Sequence, residues 1–254
     1  MDLPRISIVT PTLNQGGYIQ QTIESVLKQN YPNLDYIVMD GGSTDGTIDI
    51  LRSYGNRIRW ISNRDNGQAD AINRGMEMAD GEILSFINSD DYYLPGVFEL
   101  IARTFHETQC QWLTGDYRVI DPNGREIHQL IVWYKKLWRR NFSPQVLAVL
   151  NFVAQPSTFW SRTLWCKIGP LDISLRYTFD YDFWVRAALE SSPIVEKKAL
   201  SVFRIHKTSK GGAEYRYQFA EELKVLQRYH PKPLVFRLHQ LHNSLINSIY
   251  RIIK

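Results

Sequence analysis

Acidic and amide side chains recur where short apolar runs stop. Ile83-Leu84-Ser85-Phe86-Ile87 leads straight into Asn88-Ser89-Asp90-Asp91, and Tyr36-Ile37-Val38-Met39 into Asp40-Gly41-Gly42-Ser43. Isolated charges resist desolvation, so two adjacent acids behind a buried strand belong at a mouth rather than in a core. There they supply oxygen ligands for a hard cation. Mg²⁺ or Mn²⁺ takes one or two carboxylates and leaves the rest of its shell to phosphate oxygens and water. The same residues could instead cap the helix that Pro95 opens. Asp40 could accept hydrogen bonds from a base or ribose, or close an Asx turn over Gly41-Gly42. Asp65-Asn66-Gly67 could equally be only a turn. Asp180 and Asp182 lie on a predicted helix beside Trp184 and Arg186. One would act as general base and the other as an arginine partner, or both would belong to a surface ion pair.

The elements that position these groups follow from periodicity. Ile6 to Thr10 is a β-rich run that stops at Pro11, and Gly17 to Gln29 places Ile19, Ile23, Val26 and Leu27 at helical spacing. Residues 36–39 and 83–87 read as buried strands, and 58–61 as a strand. Residues 47–53, 68–78 and 95–106 read as helices. Strands separated by helices with short connections imply right-handed crossovers and a mostly parallel α/β sheet. Ligands of such sheets sit at the carboxyl ends of the strands. Thr10-Pro11-Thr12, Asp40-Gly41-Gly42 and Asn88-Ser89-Asp90-Asp91 should therefore lie side by side. Further on, Asp121-Pro122-Asn123-Gly124 predicts a hairpin turn between two strands. Residues 179–189 read as a helix and 199–206 as a strand. From about Leu234 onward Leu238, Leu241, Leu245, Ile249 and Ile252 form one stripe of an amphipathic helix. The reading is one domain over 1–210 and a helical tail over 211–254.

Composition narrows the function classes. In a chain of 254 residues, 44% are hydrophobic and 13% aromatic, which suits a packed core. Two cysteines, Cys110 and Cys166, make neither a disulfide framework nor a zinc site, and point to a reducing compartment. No signal peptide is expected, and no apolar run reaches the roughly 18 to 20 residues of a membrane span. No G-x-G-x-x-G, P-loop, G-x-S-x-G or H-E-x-x-H motif occurs. From Lys197 onward there are 12 Lys/Arg against 3 Asp/Glu, on an otherwise acidic body. A basic end of this kind is drawn to an anionic surface, or is a solvated face.

Taken in order, these residues resemble the inverting nucleotide-diphospho-sugar glycosyltransferases of family 2, which have the GT-A fold. The matching stretches are Ile6 to Asn14, Tyr36 to Thr47, Asp65 to Gly75, Ala79-Asp80-Gly81-Glu82 and Asn88 to Asp91. The variants most resemble the subgroup that assembles bacterial O-antigen and other surface polysaccharides. The resemblance implies a nucleotide-sugar-binding half over 1–110 and an acceptor-side half over 111–210. It implies that Pro11, Thr12, Asn14, Asp40, Gly41, Arg64, Asp65, Gln68, Ala69, Asn88, Ser89 and Asp90 bind the nucleotide sugar, the base being uracil by family habit. Asp90, Asp91 and His206 would hold Mn²⁺ or Mg²⁺ on the diphosphate. Phe179 to Arg186 matches the segment usually written E-D-x-x-L-W-x-R, which puts Asp180 on the catalytic base. Gln155, Trp160, Asp182 and Trp184 fall on the acceptor side. Gly41 departs from the family's second acid, Asn88 from its first D-x-D acid, and Phe179 from the Glu before the base.

The implied reaction is a single displacement with inversion, from a nucleotide-diphosphate sugar to a glycan or lipid-linked saccharide. Lys135, Lys136, Arg139 and Arg140, interleaved with Trp133, Tyr134 and Trp138, suit a membrane interface. With the tail helix they imply peripheral attachment at the inner face of the cytoplasmic membrane. A catalytically degenerate sugar-nucleotide-binding protein and a nucleotidyltransferase are the competing readings. No motif supports nucleic-acid binding.

Overall fold

Strand β1 (Ile6–Thr12) is buried at every position. Such burial is required of a strand that lies between two parallel neighbours with both faces covered. Those neighbours are β2 (Leu34–Asp40) and β4 (Ile83–Phe86), and β3 (Arg59–Ser62) pairs in parallel with β2. Side chains leave β1 alternately. Ile6 and Ile8 pack with α1 (Ile19–Leu27), α2 (Thr47–Ser53) and α4 (Val97–Thr108), while Val9 packs with α3 (Gln68–Met78) on the other face. Helix α3 approaches the sheet closely at Gly75, where a Cβ would stand 2.5 Å from Val9 Cγ1. Overpacking of this kind costs about 1–3 kcal/mol. Gly75→Ala should lower the unfolding free energy by that amount in a urea titration, with the m-value unchanged.

The chain is described here by a computed structural model over residues 3–207, 209, 215–230 and 232–253. Beyond β4 come the two-residue β5 (Tyr92–Tyr93), β6 (Trp112–Ile120), β7 (Thr158–Ser161) and β8 (Ile194–Arg204). The sheet order is β3-β2-β1-β4-β7-β6-β8-β5. The first four strands are parallel, as periodicity predicts. The second half is mixed: β7 runs antiparallel to β4 and β6, β6 is parallel to β8, and β5 is antiparallel to β8.

The expected hairpin at Asp121 to Gly124 is corrected in part. The turn forms, with Gly124 N–H donating to the Asp121 carbonyl at 3.0 Å, but only a single antiparallel bridge, Ile120 to Glu126, follows it. The chain then enters a helix, α5 (Gln129–Arg140), rather than a strand. Helix α5 also corrects the picture of a basic interfacial segment. Arg139 is fully buried and donates to Asp116 Oδ1 at 2.6 Å, and Lys136 lies 2.6 Å from Asp116 Oδ2. These charges neutralise a buried carboxylate, as buried charges must be neutralised. Leu130, Trp133 and Leu137 are exposed at helical spacing, with Gln129 and Arg140 also exposed at the two ends of α5.

The helices after residue 210 share the core of the body rather than hanging from it. Residues 210–214, where the boundary was expected, lie outside the described residues. Val225 and Leu226 of α9 (Tyr215–Tyr229) join the cluster that contains Trp112, Trp160 and Trp184. Helix α10 (Pro233–Ile253) packs against α6 (Pro144–Val149). Of the stripe expected on it, Leu238 and Leu241 are exposed; the side chains of Leu245, Ile249 and Ile252 lie outside what is described. Glu221 of α9 accepts backbone N–H bonds from Arg176, Tyr177 and Thr178 at 3.0, 2.7 and 3.1 Å. It thereby holds the entrance to α8 (Phe179–Glu190), the helix that carries Asp180. Removing a charged acceptor from several donors costs about 2 kcal/mol. Glu221→Ala should show that loss as a lower thermal midpoint, while Glu221→Gln keeps part of it.

Candidate functional site

The strand ends meet as the parallel order requires: Thr12 is in register with Asp40, and β1 pairs with β4 on its other side. The Asp40 carboxylate is buried in its own loop. It accepts from the Gly42 and Ser43 N–H groups at 3.0 and 2.9 Å, from Ser43 Oγ at 2.5 Å and from Ser62 Oγ at 2.6 Å. The Asx-turn reading of Asp40 therefore holds, and Oδ1, which accepts from Ser43 Oγ alone, keeps a lone pair for a further donor. Asn14 ties the two loops together, its N–H donating to Ser43 Oγ at 2.7 Å and its Oδ1 accepting from Thr44 N–H at 2.8 Å.

Gly41 makes room for Asp65. A Cβ at position 41 would lie 2.6 Å from Asp65 Oδ2. Asp65 also closes a turn onto Gly67 N–H at 2.9 Å. A cleft lined by Met39, Asp40, Ile61, Asn63, Asp65 and Arg74 opens between the ends of β2 and β3 and helix α3. Pro11 and Thr12 are buried, and Thr12 Oγ1 has no hydrogen-bond partner among the described residues. Arg64 is exposed beside the cleft, whereas Ala69 is packed in the core.

The second strand end is an amide relay. Asn88 Oδ1 accepts from Gln68 Nε2 at 2.6 Å, and Asn88 Nδ2 donates to Asp91 Oδ2 and to Gln155 Oε1, each at 3.4 Å. Gln155, expected on the acceptor side, instead braces Asn88 and donates to the Phe86 carbonyl at 2.7 Å. Ser89 is buried, and its carbonyl, like that of Asp91, accepts from Thr22 Oγ1 of α1.

Asp90 and Asp91 are separated by this pinning. Asp91 is fully buried; its Oδ1 accepts the Arg204 backbone N–H at 2.9 Å. Burial, with Asp90 alongside, pushes its carboxyl well above the usual carboxylate range. Two carboxylates facing one cation, as the sequence implied, is not the arrangement found: Asp91 braces the interior. The Asp90 side chain is 16% exposed and lies 2.9 Å from His206 Nε2. His206 stacks on Tyr18 with ring centroids 4.7 Å apart. Arg204 lies over Tyr18 and donates from Nε to the Asp90 carbonyl at 3.0 Å. Tyr18 and Thr22 carried no signal in the sequence; Arg204 stands two residues before His206, in the Phe203-Arg204-Ile205-His206 segment that resembles the family.

Helix α8 sorts the other acid pair. Asp182 is 1% exposed and takes Arg186 Nε at 2.9 Å and Arg228 Nη1 at 3.4 Å, so it is the arginine partner. Asp180 is half-buried, and its carboxyl is pushed up to about 6, first by burial and also by Glu222, against the Tyr181 N–H and Lys135. Trp160 and Trp184 are fully buried; Trp184 stacks on Trp112 at 6.0 Å and 5° and meets Trp160 edge-on at 5.6 Å. The expectation that either touches an acceptor is corrected. They are the centre of the core.

Among the described residues, no cluster of three or more His, Cys, Asp or Glu side chains stands ready to hold a metal. The Asp90–His206 pair still suits one. Two protein donors, with the remainder supplied by phosphate oxygens and water, is how such cations are held beside diphosphates.

Residues 7–162 match the model of the family described as Glycosyl transferase family 2. The chain belongs to this family. The match ends before α8, so Asp180 and His206 stand beyond the matched stretch. An uncharacterised glycosyltransferase of Rickettsia typhi is 28% identical over 206 residues, covering 80% of this chain and 64% of that protein. The chain thus spans less than two thirds of that relative. A PGL/p-HBAD biosynthesis glycosyltransferase of Mycobacterium bovis is 29% identical over 192 residues, 73% of this chain and 70% of that one. Among solved structures, Staphylococcus aureus TarS 1–349 in complex with UDP-GlcNAc superposes with TM-score 0.69 at 20% identity, over 92% of this chain and 70% of that one. The mannosyltransferase PcManGT of Pyrobaculum calidifontis, in complex with GDP-Man and Mn²⁺, gives 0.66 at 17% identity, over 95% and 69%. These likenesses establish the GT-A-like fold: a central sheet flanked by helices.

Proposed function

We propose that this protein transfers a sugar, with inversion, from a nucleotide-diphosphate donor to a hydroxyl of a glycan or lipid-linked saccharide in surface-polysaccharide assembly. The observation that carries the reading is the pairing of a partly open Asp90 with His206 at the strand ends, with Asp180 held on a separate helix. Asp65, Arg64 and the cleft beside Asp40 would receive the base and ribose, with Asn88 and Gln68 beside them. A UDP-sugar is the first donor to test, because TarS was solved with UDP-GlcNAc.

Asp180 takes the proton of the acceptor hydroxyl. The new bond forms between that oxygen and the anomeric carbon as the bond to the diphosphate oxygen breaks. The nucleoside diphosphate leaves, and the configuration inverts. A carboxyl near 6 is ionised at neutral pH yet basic enough to take a proton. Asp90 and His206 would hold Mn²⁺ or Mg²⁺, which neutralises the leaving diphosphate.

Attachment to the cytoplasmic face of a membrane belongs to the same reading. No helix among the described residues is long and apolar enough to span a bilayer. Support for surface attachment is the exposed Leu130, Trp133 and Leu137 on α5 and Leu234, Leu238 and Leu241 on α10, with the basic C-terminal region. Co-sedimentation with anionic vesicles checks it, and Trp133→Ser should weaken it.

The donor assignment is tested by thermal shift with UDP-, GDP- and dTDP-sugars, each with and without Mn²⁺. One nucleotide class should raise the midpoint, and more so with metal. No shift with any donor in the presence of metal would overturn the transferase reading.

A further inference from the structure

Helices α5 and α10 and the segment after α6 enclose a cavity lined by Tyr134, Trp138, Asn151, Glu222, His242 and Asn243. Its floor is polar and satisfied. Glu222 is 2% exposed and accepts from Asn151 Nδ2 and Asn243 Nδ2, each at 3.2 Å, and lies 3.2 Å from His239 Nε2. Its walls are not satisfied. The indole N–H of Trp138 is buried with no hydrogen-bond partner among the described residues, and the ring nitrogens of His242 meet only the neighbouring Asn243 side chain, without good hydrogen-bond geometry. Buried polar groups without partners are rare and costly, and several in one cavity point to an occupant that supplies them. The rings around them are flat apolar faces: Tyr134 stacks on His242 at 6.0 Å and 17°.

The lining selects a chemistry. An anion is disfavoured by Glu222. Burial pulls the His242 imidazolium well below its usual range, to about 4, so the ring is neutral and offers one donor and one acceptor. A bare alkyl chain would leave those atoms unpaired. A hydroxyl group both donates and accepts, and a pyranose adds an apolar C–H face to lie against aromatic rings.

The cavity and the proposed base share charged neighbours. Tyr181, next to Asp180, stacks on His239 at 6.3 Å, and its hydroxyl donates to the Leu147 and Ala148 carbonyls at 3.2 and 3.1 Å. Glu222 and Lys135, both in the lining, are among the charges that act on Asp180.

We infer that this cavity is the acceptor subsite and takes a hydroxyl-rich pyranose ring, with His242 and Trp138 hydrogen-bonding its hydroxyls. The inference rests on the transferase reading above and assigns its acceptor end to α5, inside the family-matched stretch, together with helices beyond it.

The test is saturation-transfer NMR on the full chain with methyl glycosides of glucose, galactose, mannose and N-acetylglucosamine. At least one should receive saturation from the wild type. His242→Phe keeps the ring stacked on Tyr134 but removes both nitrogens, and should cut that signal at least fivefold. Trp138→Phe is the second variant and should act in the same direction. The nucleotide-donor thermal shift should be unchanged in both. A glycoside signal that neither variant reduces, or no glycoside signal while the donor shift is intact, overturns the inference. Signal from n-octanol with none from the glycosides also overturns it and gives the cavity to a lipid chain. Loss of the donor shift in the wild type itself would instead strike the transferase reading.

Discussion

Asp180→Asn should cut turnover by about 10²- to 10⁴-fold, the span that a positioned general base contributes, and leave donor binding intact. The pH profile sharpens the test. Asp180 has its carboxyl raised to about 6, and it must be ionised to take a proton. Turnover in the wild type should therefore rise with pH through about 6 and level off above it, and Asp180→Asn should lose that limb. The thermal shift given by the donor with Mn²⁺ should match the wild type. Full activity in Asp180→Asn would remove Asp180 from the mechanism, whatever becomes of the donor site.

Asp90→Asn should abolish the Mn²⁺-dependent part of the donor thermal shift and lower turnover at least about a hundredfold. The latter corresponds to roughly 2.7 kcal/mol of transition-state stabilisation at 1.36 kcal/mol per tenfold. Asn keeps the size of the side chain beside His206, so the fold should survive. Its neighbour behaves differently. Asp91→Ala leaves the buried Arg204 N–H without its acceptor and the Asn88 amide with Gln155 Oε1 alone, which costs about 1–3 kcal/mol of stability. Two adjacent acids thus part company: one loses binding and rate when replaced, the other loses folding. Equal effects from both would mean that they share the cation after all.

The strand ends were legible because parallel sheets obey a positional rule, and β1 between β2 and β4 satisfies it. The apolar runs and the breaks behind them are local signals, and local signals survive reading one residue at a time. The roles of Asp90 and Asp91 were not legible, since nothing local says which of two neighbours turns inward. That is decided by Arg204, more than a hundred residues away, and by Thr22 pinning the loop from α1. Helix α5 was missed for a related reason: it has no side-chain cap and no acid in its first turn. Its basic residues read as surface only because Asp116, their partner, belongs to a distant strand. Trp160 and Trp184 were misread because their segments resemble the family's acceptor side, while their burial depends on packing with Trp112 and α9.

The Asp90–His206 contact joins residues 116 apart in sequence. It also depends on β8, which pairs with β6 and with β5, the short strand that follows Asp91. Closing a long loop carries an entropic cost that local pairings do not. The β3-β2-β1-β4 half is nearly contiguous along the chain and can collapse early, as it leaves the ribosome. The mouth is completed only when β8 docks. A chain stalled before that stage would form the cleft beside Asp40 while lacking His206, the proposed partner of Asp90 at a diphosphate. Order of synthesis would thus delay catalytic competence until the last strand is in place.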